Sequence, residues 1–206
     1  MGQVVPGSII CARAFPQEKR VFFWYYIIHM VNINISWVNP KIKIKKTQKT
    51  GIGSFAKEFI KKGEILIVQG GRIMTGEELN KPIFEPIWYH AFQVEKNFYI
   101  CPLDFKKEEF DGIFNVNHSC DPTCGFKGQI TMVSMKDITP DEQITFDYAM
   151  TDVGIDKENW KDMECLCKSK NCRRYVRGDD WKIPELRKKY KGYFSTHIQK
   201  LIDKGQ

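Results

Sequence analysis

The apolar positions of this chain fall into short runs, often alternating with polar residues and punctuated by turn formers. Ile33, Ile35 and Trp37 alternate with polar neighbours, as do Ile42 and Ile44. Strict alternation predicts half-buried strands. Gly51 and Gly53 mark a turn, and the run 55–60 ends in a hairpin-like break at Lys62-Gly63. Residues 64–69 predict a short apolar strand closed by Gly70-Gly71. Thr75, with Glu78 three residues on, has the form of a capped helix start. Segments 89–94 and 97–101 predict paired strands about a turn at Glu95-Lys96, and 130–135 and 144–148 predict two more. The tail 184–202 has helical character, with Pro184 suited to a first helical position and Gly192 dividing it. Many short strands with few short helices predict a mostly β or α+β fold.

Residues 21–30, VFFWYYIIHM, follow Lys19-Arg20 and imitate a signal anchor. The apolar core is about half the ~20 residues a membrane span needs. Asn32 and Asn34 interrupt any extension, and no small-residue cleavage site follows. Residues 1–29 therefore read as a non-native or dispensable extension ahead of Met30. The expected organisation is an extension over 1–40, a main domain over 41–150, a cysteine segment over 151–178 and a helical tail over 179–206.

A length of 206 residues suits one domain with appendages. The net charge of +7 argues against cationic partners and is compatible with nucleic acid or an acidic membrane face. The basic residues are spread along the chain, which favours solubility as their main effect. Seven cysteines without a clear secretory signal point to reduced thiols or metal ligands, and to an intracellular location.

Four motifs carry candidate chemistry. Gly51-Ile52-Gly53, within GIGSFA, lets backbone approach a ligand, but no third glycine completes a dinucleotide-binding pattern. Asn117-His118, within NHSCDP, sets an amide beside an imidazole, a pair suited to a purine edge or an amino-acid head group. Phe146-Asp147-Tyr148 ends a run that reads, alone, as a strand with aromatic core residues. Cys165, Cys167 and Cys172 form C-x-C-x4-C, three thiolates where a closed tetrahedral zinc site needs four ligands. Taken singly, these are an ordinary turn, a structural histidine, a core strand and three reduced thiols. Cys124 reads as a core thiol.

In this order and spacing, over roughly residues 42–177, the motifs resemble a SET-domain protein lysine methyltransferase with a zinc-binding post-SET segment. The resemblance implies a fold of short β-sheets with a knot-like core. It implies that S-adenosylmethionine is the methyl donor, touched by the Gly51, Ile52 and Gly53 backbone and held by Asn117 and His118, with Tyr148 beside it. Tyr148 falls on the family's catalytic tyrosine. Phe146 falls where the family chooses between phenylalanine and tyrosine, and the wider pocket left by phenylalanine implies di- or trimethylation. Cys120 is implied as the fourth ligand of one structural Zn2+, with Cys165, Cys167 and Cys172, and Arg173 and Arg174 beside the cluster as stabilisers of its negative charge. Three positions depart from the family pattern: Thr123 replaces asparagine, Asp141 glycine and Gln143 an acid.

Methyl transfer from a sulfonium needs a neutral amine, whereas lysine in water is protonated, with a reference pKa of ~10.4. An apolar channel disfavours the charged form. Tyr89, Phe92, Phe98 and Tyr99 are candidate walls. The strand after Glu95-Lys96 is a candidate edge for a substrate peptide adding as a strand. The partner is then a protein or peptide carrying the target lysine, histone or other, in nucleus or cytoplasm, or in a host if the source is a pathogen. No membrane and no direct nucleic-acid contact are expected. Two other classes compete: a non-catalytic peptide-binding module of the same fold, hinted at by Thr123, and a basic zinc-containing nucleic-acid-binding protein.

Overall fold

The computed structural model describes residues 35–47, 51–103, 112–153 and 162–205. The extension 1–29 and the apolar stretch 21–30 lie outside these residues. The described chain is mostly small β-sheets with few helices, as the hydrophobic pattern predicts.

One sheet has the order β1 (Trp37–Val38), β4 (Ile65–Val68), β10 (Thr131–Ser134), β9 (Cys124–Lys127), all antiparallel. A second runs β2 (Ile42–Lys46), β3 (Ile52–Ala56), β11 (Gln143–Phe146), β8 (Asn117–His118), and its last pair is parallel. A third orders β5 (Arg72–Thr75), β7 (Phe98–Cys101) and β6 (Phe92–Glu95), with β7 in the centre. A two-stranded ribbon joins β12 (Met163–Glu164) to β13 (Tyr175–Val176).

The principal core draws on the first two sheets, with Leu66, Phe126, Met132, Ile138, Ile144 and Met150 all essentially inaccessible, and takes in Phe92 and Ile100 of the third. A smaller core under the third sheet holds Met74, Leu79, Ile87, Tyr99 and Cys101. The short helix α1 (Gly76–Leu79) begins as expected: the Thr75 hydroxyl accepts from the Glu78 N–H and the Glu78 carboxylate accepts from the Thr75 N–H.

Three expectations shift. The strand expected over 89–94 starts at Phe92, because Pro82–His90 forms a 3-10 helix that Pro82 opens and Pro86 keeps from becoming α-helical. The strand expected over 144–148 stops at Phe146, and Tyr148–Met150 is a 3-10 turn capped by Asp147. The strand β7 is paired on both sides, so it offers no free edge to a substrate peptide, contrary to the expectation from sequence.

The tail forms α2 (Pro184–Lys189) and α3 (Thr196–Asp203), with Gly192 between them at a φ of 80°. Tyr190, Phe194 and Ile198 join the principal core. Backbone bonds fasten the tail to β9 and the turn after it: the Phe126 N–H donates to Tyr193 O at 2.9 Å, and the Thr196 N–H to Gly128 O at 3.2 Å. Gly125 permits this approach, since a Cβ there would lie 2.8 Å from the Tyr193 Cβ. No helix among the described residues is long and apolar enough to cross a membrane.

Candidate active site and metal centre

The parallel pairing of β8 with β11 builds the site. Asn117 stands opposite Thr145 and His118 opposite Phe146, so two motifs nearly thirty residues apart run side by side. Ser119 extends the pairing, its N–H donating to Phe146 O at 3.0 Å. Thr123, the departure noted above, is fully used: its N–H donates to Thr145 O at 3.0 Å and its Oγ1 accepts from the Thr145 N–H at 2.9 Å.

Asn117 Nδ2 donates to Ile52 O at 3.0 Å, tying the glycine turn to β8. Gly51 has a φ of 70° and open space where a Cβ would stand. At Gly53 a Cβ would meet Gln143 Nε2 at 2.7 Å and Asn117 Nδ2 at 2.9 Å. The turn is thus a backbone cradle that glycine favours, by its positive φ at Gly51 and by the close side-chain ends at Gly53, and it fits a group bound through its backbone.

The His118 side chain is 5% exposed and faces inward. Its Nδ1 accepts the Tyr148 N–H at 3.3 Å, which assigns the ring proton to Nε2, 3.4 Å from Cys120 Sγ. Burial, only partly offset by Asp147, lowers the imidazole to about 4, so the ring is neutral. The imidazole therefore spans Tyr148 and Cys120, leaving Asn117 and the strand backbone on the glycine-turn side.

Tyr148 stacks at a tilt on Phe146, ring centres 4.9 Å apart, and meets His118 edge-on at 5.1 Å. Phe146 in turn meets Phe126 at 5.5 Å. A narrow cavity of about 50 Å³ opens beside Phe146 and Tyr148, with Phe92, Ile113, Phe114 and Val116 as its apolar wall. Asp152 lines the same cavity. Burial and the Asp152 charge push the Tyr148 phenol up to about 12, so it stays protonated and able to share a hydrogen bond. Of the expected walls whose side chains are described, only Phe92 lines this cavity. Phe98 is exposed on β7 and Tyr99 belongs to the second core. The Tyr89 side chain lies outside what the structure describes.

Cys120, Cys165, Cys167 and Cys172 converge, with all four Sγ atoms within 4.8 Å of one another. Zn–S bonds of about 2.3 Å in a tetrahedron require sulfur separations of about 3.8 Å. The Cys120 and Cys165 sulfurs are 3.8 Å apart. The four therefore fit a closed thiolate site for one zinc. Burial raises the Cys120 thiol to about 11, whereas at Cys167 burial is outweighed by several hydrogen bonds together, the Ser169 hydroxyl at 3.3 Å foremost, which bring the thiol to about 6. Backbone N–H groups of Arg173 and Arg174 point at Cys120 Sγ and Cys172 Sγ, each at 3.4 Å, as donors to metal-bound sulfur do.

The Arg173 guanidinium acts on the Cys120 thiol as expected, lowering it by its charge, and has a second task. It grips Asp147 through two bonds, 2.6 and 2.8 Å, and contacts Asp180 Oδ2 at 3.0 and 3.1 Å. Asp147 is 0% exposed. Burial would push its carboxyl up, but the Arg173 guanidinium and the Tyr190 hydroxyl hold it below the usual range. Asp180 and Tyr190 are neighbours that the motif reading missed, and Asp147 and Arg173 were named there without their pairing. A charged residue inside an otherwise apolar run was the available signal, because a buried carboxylate needs a partner.

Residues 51–149 match the SET domain family. Over 152 residues, 65% of this chain and 6% of the relative, the sequence is 32% identical to the variant-silencing SET domain-containing protein of Plasmodium falciparum (isolate 3D7). Over 149 residues, 66% of this chain and 28% of the relative, it is 26% identical to the histone-lysine N-methyltransferase ASHR3 of Arabidopsis thaliana. The chain thus spans well under half the length of either relative. Among solved structures it is similar to the methyltransferase domain of human histone-lysine N-methyltransferase SETMAR, with a TM-score of 0.48 and 20% identity over 68% of this chain and 58% of that one.

Proposed function

This chain carries a SET domain over residues 51–149, and from that premise we propose that it is an S-adenosylmethionine-dependent protein-lysine N-methyltransferase. The SET domain is assigned to residues 41–150, the zinc-bearing segment to 151–178 and the tail to 179–206. The observation that carries the reading is the β8–β11 pair, which brings Asn117, His118, Phe146 and Tyr148 together beside a glycine turn and an aromatic cavity.

S-adenosylmethionine, when bound, supplies a methyl group on a positive sulfur that a neutral amine takes by in-line displacement. The residues of this chain provide the setting. The Gly51, Ile52 and Gly53 backbone, locked by Asn117, presents a rigid face to the donor. Phe92, Ile113, Phe114, Val116 and Phe146 withhold water from an entering lysine end, which disfavours its ammonium form. The protonated Tyr148 phenol accepts a hydrogen bond from the amine and fixes the direction of its lone pair. The amine's proton leaves to water, so no strong base is needed. Zinc, when bound by Cys120, Cys165, Cys167 and Cys172, supplies a structural closure.

The name of the relative ASHR3, a histone-lysine N-methyltransferase, supports a histone lysine as substrate, and we assign the protein to nucleus or cytoplasm on that reading. Phe146 leaves the space a second and third methyl require. The test is transfer of labelled methyl from S-adenosylmethionine to histones and to lysate protein by the zinc-loaded chain. Tyr148→Phe is expected to lower turnover about 100-fold, and Phe146→Tyr to shift the product from di- or trimethyl towards monomethyl by mass spectrometry. Absence of lysine methylation by the folded, zinc-loaded chain, or transfer indifferent to Tyr148→Phe, overturns the assignment.

A further inference from the structure

The tail lies beyond the matched family segment, yet it reaches both ends of the turn that carries Tyr148. At the front of that turn, Asp147 caps it by accepting the Ala149 N–H at 3.1 Å. The Tyr190 hydroxyl lies 2.8 Å from Asp147 Oδ2 and 3.3 Å from Cys120 O. One hydroxyl proton serves one acceptor best, and the shorter, charged contact takes it. Lys189 Nζ donates to the same Cys120 carbonyl at 2.7 Å. Asp180, 2% exposed, holds the far side of Arg173. At the back of the turn, the Ser195 N–H donates to Met150 O at 2.9 Å.

Tyr190 itself is 0% exposed, so its bond to Asp147 is shielded from competing water. A tail that merely covered the core would need the Tyr190 ring but not its hydroxyl. The placement of that hydroxyl between the cap of the Tyr148 turn and the backbone of Cys120 indicates a second task.

We propose that the C-terminal tail is a positioning element of the active site, in which Tyr190 and the Ser195 N–H hold the two ends of the 148–150 turn and so aim the Tyr148 phenol. The proposal rests on the reading of Tyr148 as the catalytic tyrosine. Tyr190 does not touch the reacting atoms and acts through Asp147.

Tyr190→Phe keeps the ring and removes only the hydroxyl. Its expected effect is a kcat lowered about tenfold, with KM for peptide and donor unchanged and zinc content retained, since misaligned reactants cost rate more than binding. A second pair addresses the other end. Ser195 has a φ of −58°, which proline accepts. Ser195→Pro and Ser195→Ala both lose the hydroxyl that caps α3, but only proline loses the N–H to Met150. A larger fall in kcat for proline than for alanine is expected. Fluorine NMR of 3-fluorotyrosine placed at Tyr148 gives a readout independent of turnover: its resonance shifts or broadens in Tyr190→Phe and Ser195→Pro. Wild-type protein without turnover refutes the methyltransferase reading alone, and the fluorine signal then still decides whether the tail positions Tyr148. Unchanged kcat and an unchanged fluorine resonance in Tyr190→Phe overturn the proposal. Should Tyr190→Phe fail to fold, equal behaviour of the two Ser195 variants overturns it.

Discussion

Two aspartates bracket β11, six positions apart, and their surroundings could hardly differ more. Asp141 stands before the strand with its side chain 66% exposed, reaching Lys43 at 2.8 Å and Lys45 at 2.6 Å. Asp147 stands after it with none of its side chain exposed, gripped by Arg173, Tyr190 and the Ala149 N–H. Both carboxyls are held below the ordinary range, Asp141 at about 2. The shared direction conceals unequal consequences. Exposed pairs lose most of their attraction to water and side-chain entropy, whereas breaking a buried pair strands a charge without solvent. The short distances around Asp141 therefore say little about stability, and the distances around Asp147 say a great deal.

That contrast is open to graded attack. Metal removal is expected to have the largest effect. Chelation should unlock the cysteine segment, free the Arg173 side of Asp147 and lower thermal stability by several kcal/mol, with readdition of zinc restoring it. The checks are metal analysis and calorimetry, and a chelated protein with an unchanged melting curve would show the cluster to be unnecessary. Next comes Arg173→Ala, which leaves Asp147 and Asp180 buried together. A loss of about 3–5 kcal/mol in denaturant titration is expected. Last is Asp141→Asn. Asparagine tolerates the φ of 65° at this position, so the melting temperature should move by no more than about 2 °C. The sign follows from the lowered pKa. Whatever Asp141 contributes is present above the ordinary carboxylate range near 3.9 and fades as pH falls towards about 2. Wild-type and Asp141→Asn melting curves should thus converge in acid and with added salt.

The same contrast marks how far the sequence can be read. Strands β2, β4, β10 and the Thr75 cap were visible because each is decided by residues within a few positions. The four cysteines were assembled by resemblance, and their convergence follows from the β8–β11 pairing that carries Cys120 towards β12 and β13. Strand β5 was missed. Its four residues sit between a glycine pair and a helix cap, too short a run for alternation to show. That omission also produced the wrong edge at β7. Phe98 and Tyr99 illustrate the limit of composition: adjacent aromatics on one strand face opposite ways, one to solvent and one to the second core. The tie between Asp147 and Tyr190 joins positions 43 residues apart, and no local pattern links them.

His118 deserves a last consequence. Each of its nitrogens is committed, one to the Tyr148 amide and one to the Cys120 sulfur, and burial keeps the ring uncharged down to about pH 4. Histidine is usually the residue through which a protein feels acidity near neutrality. Here it has been withdrawn from that duty: across the acidities of living compartments the ring behaves as a passive rivet rather than a gauge.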